Sequence, residues 1–282
     1  MALCPWLISC SLGHSALAFV KRPLLSHLLP NRFKESLYYS HYHRRHAEWT
    51  DLFTNARLAL SPNVAMHRLL PGDVISGNIA FNGFYELALS QRIAQLARGG
   101  GVFVDVGANM GYFSLLWAGL NRLGRVIAFE AAPRNIEIFE NNISQNHLFD
   151  RITLVPKAAG SYSGTITFDV GPAGQTGWGG ISFTASSTTV AVPLVRLDQE
   201  LPDSPIDVLK IDVEGADTWV LLGCEALLKR KRIRAIFFEQ HKDRMETLGV
   251  APGKAQAFLR DLDYTCVPFG GGGWEWTAFP NN

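Results

Sequence analysis

Phe103-Val-Asp-Val-Gly-Ala-Asn-Met-Gly-Tyr-Phe-Ser114 continues an apolar run that starts at Val102. It breaks at the small-residue turn Gly107-Ala108-Asn109 and resumes as an apolar helix from Tyr112 to Leu120. A strand entering a helix through a glycine turn is how open α/β sheets hold an adenosine-containing cofactor. Gly107 and Gly111 let the backbone approach a ligand, and Gly111 opens the helix. Asp105, at the strand end, offers a carboxylate to a cationic or amino group. The next apolar run ends in Glu130, where two acceptor oxygens can hold a ribose diol. The spacing is G-x-x-x-G, not the G-x-G-x-x-G that seats a dinucleotide pyrophosphate. That weakens a nicotinamide-dependent oxidoreductase reading but leaves it as an alternative.

Outward from this stretch, strands alternate with helices. Strands are predicted at 102–106, 125–130, 152–155, 206–211 and 233–238. Helices are predicted at 84–96, 111–121, 133–145, 216–229 and 255–262, and a final hairpin at 264–268 and 274–279 crosses Gly270–Gly273. Such alternation implies a mostly parallel sheet with helices on both faces. In such a sheet the carboxyl ends of the strands share one edge, where ligands bind. Leu209-Lys-Ile-Asp-Val-Glu-Gly215 brings Asp212 and Glu214 to that edge, and Phe237-Phe-Glu-Gln-His241 brings Glu239 and His241. His241 is a candidate general base and Asp212 a candidate orienting group. Asp212, Glu239 and His241 are alternatively a ligand set for a hard divalent metal. Each also reads as an ordinary strand-end cap or ion pair. Lys210, inside its apolar run, reads as structural and needs a partner if buried.

Before the alternation, residues 1–60 read as an accessory extension and 61–282 as the main domain. The run Tyr38-Tyr-Ser-His-Tyr-His-Arg-Arg-His46 is rich in His and Tyr but lacks a carboxylate or Cys to complete a metal site, so it reads as a helix surface covering the main domain. Helical spacing continues over 48–60, and Pro71-Gly72-Asp73 suggests a hairpin over 64–76. Residues 165–170 and 189–194 are strand-like. Between them, 171–180 is either a mobile lid carrying Trp178 or a long hairpin loop.

Composition narrows the function classes. At 47% hydrophobic and 18% charged, the chain of 282 residues is a globular one. A net charge of +1 gives no field for nucleic acid or an acidic membrane. The basic run 229–234 sits at a predicted helix end, where cations stay solvated and complement the dipole. Four cysteines without a CxxC pair indicate neither a zinc site nor a disulfide framework, which fits a reducing, cytoplasmic setting. The apolar stretch 3–20 is short, interrupted and followed rather than preceded by Lys21-Arg22, so it reads as a packing, peripheral or oligomer contact, not a signal or membrane span.

The chain resembles the FkbM family of S-adenosylmethionine-dependent methyltransferases. The resemblance is carried by Gly83-Phe-Tyr-Glu86, Val102 to Ser114, Val126-Ile-Ala-Phe-Glu-Ala-Ala-Pro133, Asn141-Asn142, Val195-Arg-Leu-Asp198, Leu209 to Gly215 and Ile236 to His241. It implies a Rossmann-like class I methyltransferase fold: a mostly parallel seven-stranded sheet ending in an antiparallel hairpin. It implies methyl transfer to a hydroxyl of a sugar, polyketide or related small metabolite. In that family Asp105, Gly107, Asn109 and Gly111 would line the methionine and ribose part of the cofactor, and Glu130 its ribose hydroxyls. Glu86 would lie near its amino acid end, while Asp212 and Glu214 would face the methyl group and the acceptor. A non-catalytic cofactor-binding protein is the remaining alternative.

Overall fold

A computed structural model describes residues 29–281. The stretch 3–20 and the first two cysteines lie outside them. Among the described residues no helix is long and apolar enough to cross a membrane.

The fold is built on a seven-stranded sheet. Its strands run in the spatial order Tyr264–Pro268, Glu275–Pro280, Ile236–Glu239, Val208–Ile211, Gly101–Val106, Gly124–Phe129 and Ile152–Val155. The last five pair in parallel, while Glu275–Pro280 is antiparallel to both of its neighbours. This is the α/β, Rossmann-like sheet with a C-terminal antiparallel hairpin that the alternating pattern and the family resemblance predict.

Period two sorts the central strands onto two faces. Phe103, Val126, Ala128, Val208 and Phe237 enter the core that also holds Trp117 and Phe139. Val104, Val106, Leu209, Ile211, Ile236 and Phe238 enter the core on the other side. In the register Lys210 stands directly beside Asp105. Both are buried, so the charge in each apolar run has its counter-charge one strand away.

Four expectations need correction. The helix expected over 48–60 ends at Thr54, and Asn55–Arg57 is a strand paired with Ala65–His67. The burial alternates from there with period two, Ala56 and Leu58 inward, which the helical spacing just upstream conceals. No hairpin turns at 71–73. Asp73 instead caps the helix Val74–Asn82, its carboxylate accepting the Ser76 amide at 2.8 Å, and Gly83 closes that helix at φ 77°. The helix expected from residue 84 begins at Leu87, after Glu86 in the left-handed region at φ 45°. The helix expected at 216–229 is broken into Asp217–Leu222 and Glu225–Lys229. Gly223 lies at the break, where a Cβ would come within 2.1 Å of the Gly160 carbonyl oxygen.

Residues 158–195 form a second sheet, in the order Ala158–Ala159, Thr189–Val195, Gly164–Asp169, Gly180–Ile181. The basic run is self-contained. Lys229 pairs with Glu225, Arg230 and Arg232 share Asp203, Arg234 pairs with Asp207, and Lys231 donates to the Leu262 and Asp263 carbonyls. The N-terminal run packs on the helix Val74–Asn82, with Tyr38 and His46 buried against Phe81.

Candidate active site

At the carboxyl edge of the large sheet lies a cleft of about 230 Å³. Its floor is the turn after Gly101–Val106. Gly107 and Gly111 have φ of 76° and 89°, and Asn109 has φ 53°. Packing alone demands both glycines: a Cβ on Gly107 would sit 1.9 Å from the Asp212 carbonyl oxygen, and one on Gly111 would sit 2.1 Å from the Phe139 ring. Glu130 ends the next strand and is buried. Its carboxylate accepts the Asn109 amide at 2.7 Å and the Ala132 amide at 2.8 Å. Burial raises its pKa and these amides oppose the rise. Each oxygen retains acceptor capacity for a further donor.

Beside the turn is a buried charge cluster. Lys210 Nζ donates to Asp212 at 3.2 Å and lies 3.7 Å from Asp105, whose other oxygen accepts from Ser114 at 2.7 Å. Burial would lower the Lys210 pKa, but the charges of Asp212, Asp105 and Glu86 outweigh it and hold the ammonium above its ordinary range. Asp105 is fully buried, and desolvation raises its pKa despite the lysine. Lys210 also lines the cleft and packs over the Phe113 ring, so its role is not confined to the core.

Further along the edge, acids outnumber cations. Glu86, Glu239 and Glu275 bring carboxylate oxygens within 4.8 Å of one another. Glu275 stands opposite Glu239 in the antiparallel ladder, an arrangement that repels if both ionise. Burial, then Asp212, raise both Glu86 and Glu239. Asp217, buried beneath them, accepts the Glu239 amide at 3.0 Å and is pushed up to about 7 by burial. Glu214 lies on the opposite rim at φ 54°, paired with Arg244 at 3.2 Å. Burial and the Asp212 charge push it up to about 7 against that arginine.

The structure thus brings together at the cleft Glu86, Gly107, Asn109, Glu130, Asp212, Glu214 and Glu239. Asp105 and Gly111 stand immediately behind that lining. His241 is not brought in: it is exposed at the N-cap of the helix Lys242–Thr247. The carboxylates that gather are therefore not the set Asp212, Glu239 and His241 considered for a metal.

Sequence reasoning missed Tyr85, Asp73, Asn135 and Thr176, all of which line the cleft. It also missed Glu275 beside Glu239. The register of the final hairpin is the signal that could have found Glu275. Nothing in the local pattern marks Thr176, which reaches the cleft through a loop.

The sheet order and its open carboxyl edge define a Rossmann-like α/β protein. The family model described as Methyltransferase FkbM domain matches residues 105–266, and the chain belongs to that family. This membership does not favour the nicotinamide-dependent alternative. No curated protein matches the chain. Among solved structures, the chain is similar to an FkbM methyltransferase from Methylobacillus flagellatus KT, at 16% identity and TM-score 0.47, over 64% of this chain and 43% of that one. It is similar to a precorrin-6y C5,15-methyltransferase from Geobacter metallireducens GS-15, at 18% identity and TM-score 0.40, over 68% and 88% of the two chains. It is also similar to an O-methyltransferase from Bacillus cereus in complex with SAH, at 15% identity and TM-score 0.41, over 69% and 80%.

Proposed function

We propose that the chain transfers a methyl group from S-adenosylmethionine to a hydroxyl of a sugar, polyketide or related small metabolite. The observation that carries the cofactor is Glu130, a buried carboxylate at the end of the strand after the glycine turn, fixed by the Asn109 and Ala132 amides with acceptor capacity left for a ribose diol. The donor set fits: Glu86, Asp212 and Glu239 line the cleft beside Lys210, and a bound sulfonium would favour the ionised forms of the two glutamates that burial otherwise keeps protonated. When bound, the cofactor supplies an electrophilic methyl group. The protein has to align the acceptor hydroxyl and take its proton.

For the proton, the carboxylates of the cleft are better placed than His241. Burial, then Asp212, push both Glu86 and Glu239 toward their protonated forms. Glu214, at about 7, is balanced between its forms there, which is where a general base works best. In this reading Asp212, held by Lys210, orients the acceptor, and Glu214 removes its proton. Residues 61–282 are the methyltransferase unit and 1–60 an extension to it.

The test is transfer of isotopically labelled methyl from S-adenosylmethionine to panels of hydroxyl and amine acceptors. Label entering hydroxyl compounds supports oxygen as the acceptor atom. Label confined to amines overturns it.

A further inference from the structure

Residues 171–181 cross the cleft as a strap, and Gln175, Thr176, Gly177 and Trp178 form part of its lining. The strap is tied to both walls. On one wall Arg134 donates to the Pro172 carbonyl at 2.7 Å and to the carbonyls of Val170 and Gln175, and Asn135 donates to the Thr176 carbonyl at 3.0 Å. On the other wall stands Asp73, which is buried. Its Oδ1 accepts the Thr176 amide at 2.9 Å, and the Thr176 hydroxyl lies 3.2 Å from both carboxylate oxygens. Gln175 adds a bond to the Gly72 carbonyl at 2.9 Å. Gly177 passes so close to this wall that a Cβ would come within 2.9 Å of Ile75.

The turn that carries Asp73 is itself held by His46. The Gly72 amide donates to His46 Nδ1 at 2.8 Å, and Tyr38 Oη lies 2.8 Å from Nε2. A backbone amide can only donate, so Nδ1 must be bare and the proton sits on Nε2, directed at Tyr38. Phe53 and Phe81 enclose the ring. The titratable groups facing it are Tyr38, His43 and Asp73. A proton on Nδ1 would set one N–H against another and release Gly72.

We propose that Asp73 is a positioning residue for methyl-donor binding: it latches the strap 171–181 over the cofactor end of the cleft, and neutral His46 holds the latch in register. The inference rests on the cofactor reading above. Through it, the segment Tyr38–His46 acts on a cleft that it does not line. Burial, then His43, lower the His46 pKa while Asp73 opposes them, so the neutral ring persists below the ordinary histidine range and the latch weakens only in acid.

The test titrates S-adenosylhomocysteine calorimetrically into the full chain and its variants at about pH 7.5 and at steps down to about pH 4.5, well below the ordinary histidine value, with a melting curve beside each titration. Thr176→Val keeps the shape and removes the hydroxyl bond, and is expected to weaken binding about fivefold, the worth of one net hydrogen bond. Thr176→Ser is expected to restore affinity to within about twofold, because it returns the hydroxyl. Wild-type affinity is expected to show a fall in the acid part of that range, below the ordinary histidine value. His46→Gln, whose amide can accept from Gly72 and donate to Tyr38 without titrating, is expected to lose that fall. Unchanged affinity in Thr176→Val, or a lower melting temperature without weaker binding, overturns the latch. An acid fall of the same size in His46→Gln overturns the part assigned to the histidine. Absence of binding to the wild type is a different failure, because it removes the cofactor reading on which the latch depends.

Discussion

Glu214 has its carboxylate on the rim of the cleft, with Asp212 raising its pKa and Arg244 opposing the rise. If it takes the acceptor's proton, the rate must rise with pH through about 7, because only the ionised form is a base. Glu214→Gln is expected to lower kcat about a hundredfold or more, within the range of lost general-base catalysis, with cofactor affinity retained. An unchanged kcat would return the proton to another group. Glu239 invites the opposite experiment. An acid whose folded pKa exceeds its unfolded value stabilises the fold below the unfolded value and loses that contribution as pH rises through the folded one. The pKa of Glu239 is raised by burial, then by Asp212, Glu86 and Asp217. Glu239→Gln is therefore expected to stabilise the protein at about pH 8 by about 1 kcal/mol or more, while impairing turnover. Denaturant unfolding at that pH reads the sign directly, and a destabilised variant would contradict the repulsive cluster. Asp212, Glu214 and Glu239 were legible because each ends a buried apolar run, where period and topology fix the edge. Glu275 was not, because its proximity to Glu239 depends on hairpin register rather than on any local pattern.

Among elements, the turn Gly107–Gly111 was legible and its glycines were demanded, but for an additional reason. Close approach of the turn to the backbone of Asp212 leaves no room for a side chain at Gly107, whatever ligand lies above it. Gly107→Ala is expected to cost about 2 kcal/mol or more, from its positive φ and the contact with the Asp212 carbonyl oxygen. A near-neutral unfolding free energy for that variant would mean that the two strand ends are looser than described. The elements that misled are those before residue 90. Trp49, Leu52, Phe53 and Ala56 share a helical stripe, yet the chain extends at Asn55, because pairing with Ala65–His67 supplies hydrogen bonds that a lone turn of helix cannot. Pro71-Gly72-Asp73 carries the composition of a turn, and it is one. It leads into a helix, not a second strand, and the cap of that helix also serves the strap. This double use is visible only once Thr176 arrives from 103 residues away.

At the scale of the molecule, a parallel sheet gathers strand ends distant in sequence onto one edge. Residues from Glu86 to Glu239 therefore meet in one cleft, and their order along the chain could be read as a site before any contact was known. The acceptor could not be read in that way, because the strap and the N-terminal segment that shape its approach lie outside the repeating strand–helix pattern. A ligand bound only by the folded chain must also stabilise it. S-adenosylhomocysteine at a hundred times its Kd is expected to add about 2.7 kcal/mol, which a thermal shift detects. The most direct measurement is calorimetric titration of S-adenosylhomocysteine into the full chain and into Glu130→Ala. Saturable binding to the wild type, weakened about tenfold or more when the carboxylate that would hold the ribose is removed, is the expected result. No heat of binding to folded wild-type protein, or equal affinity in Glu130→Ala, would contradict the account.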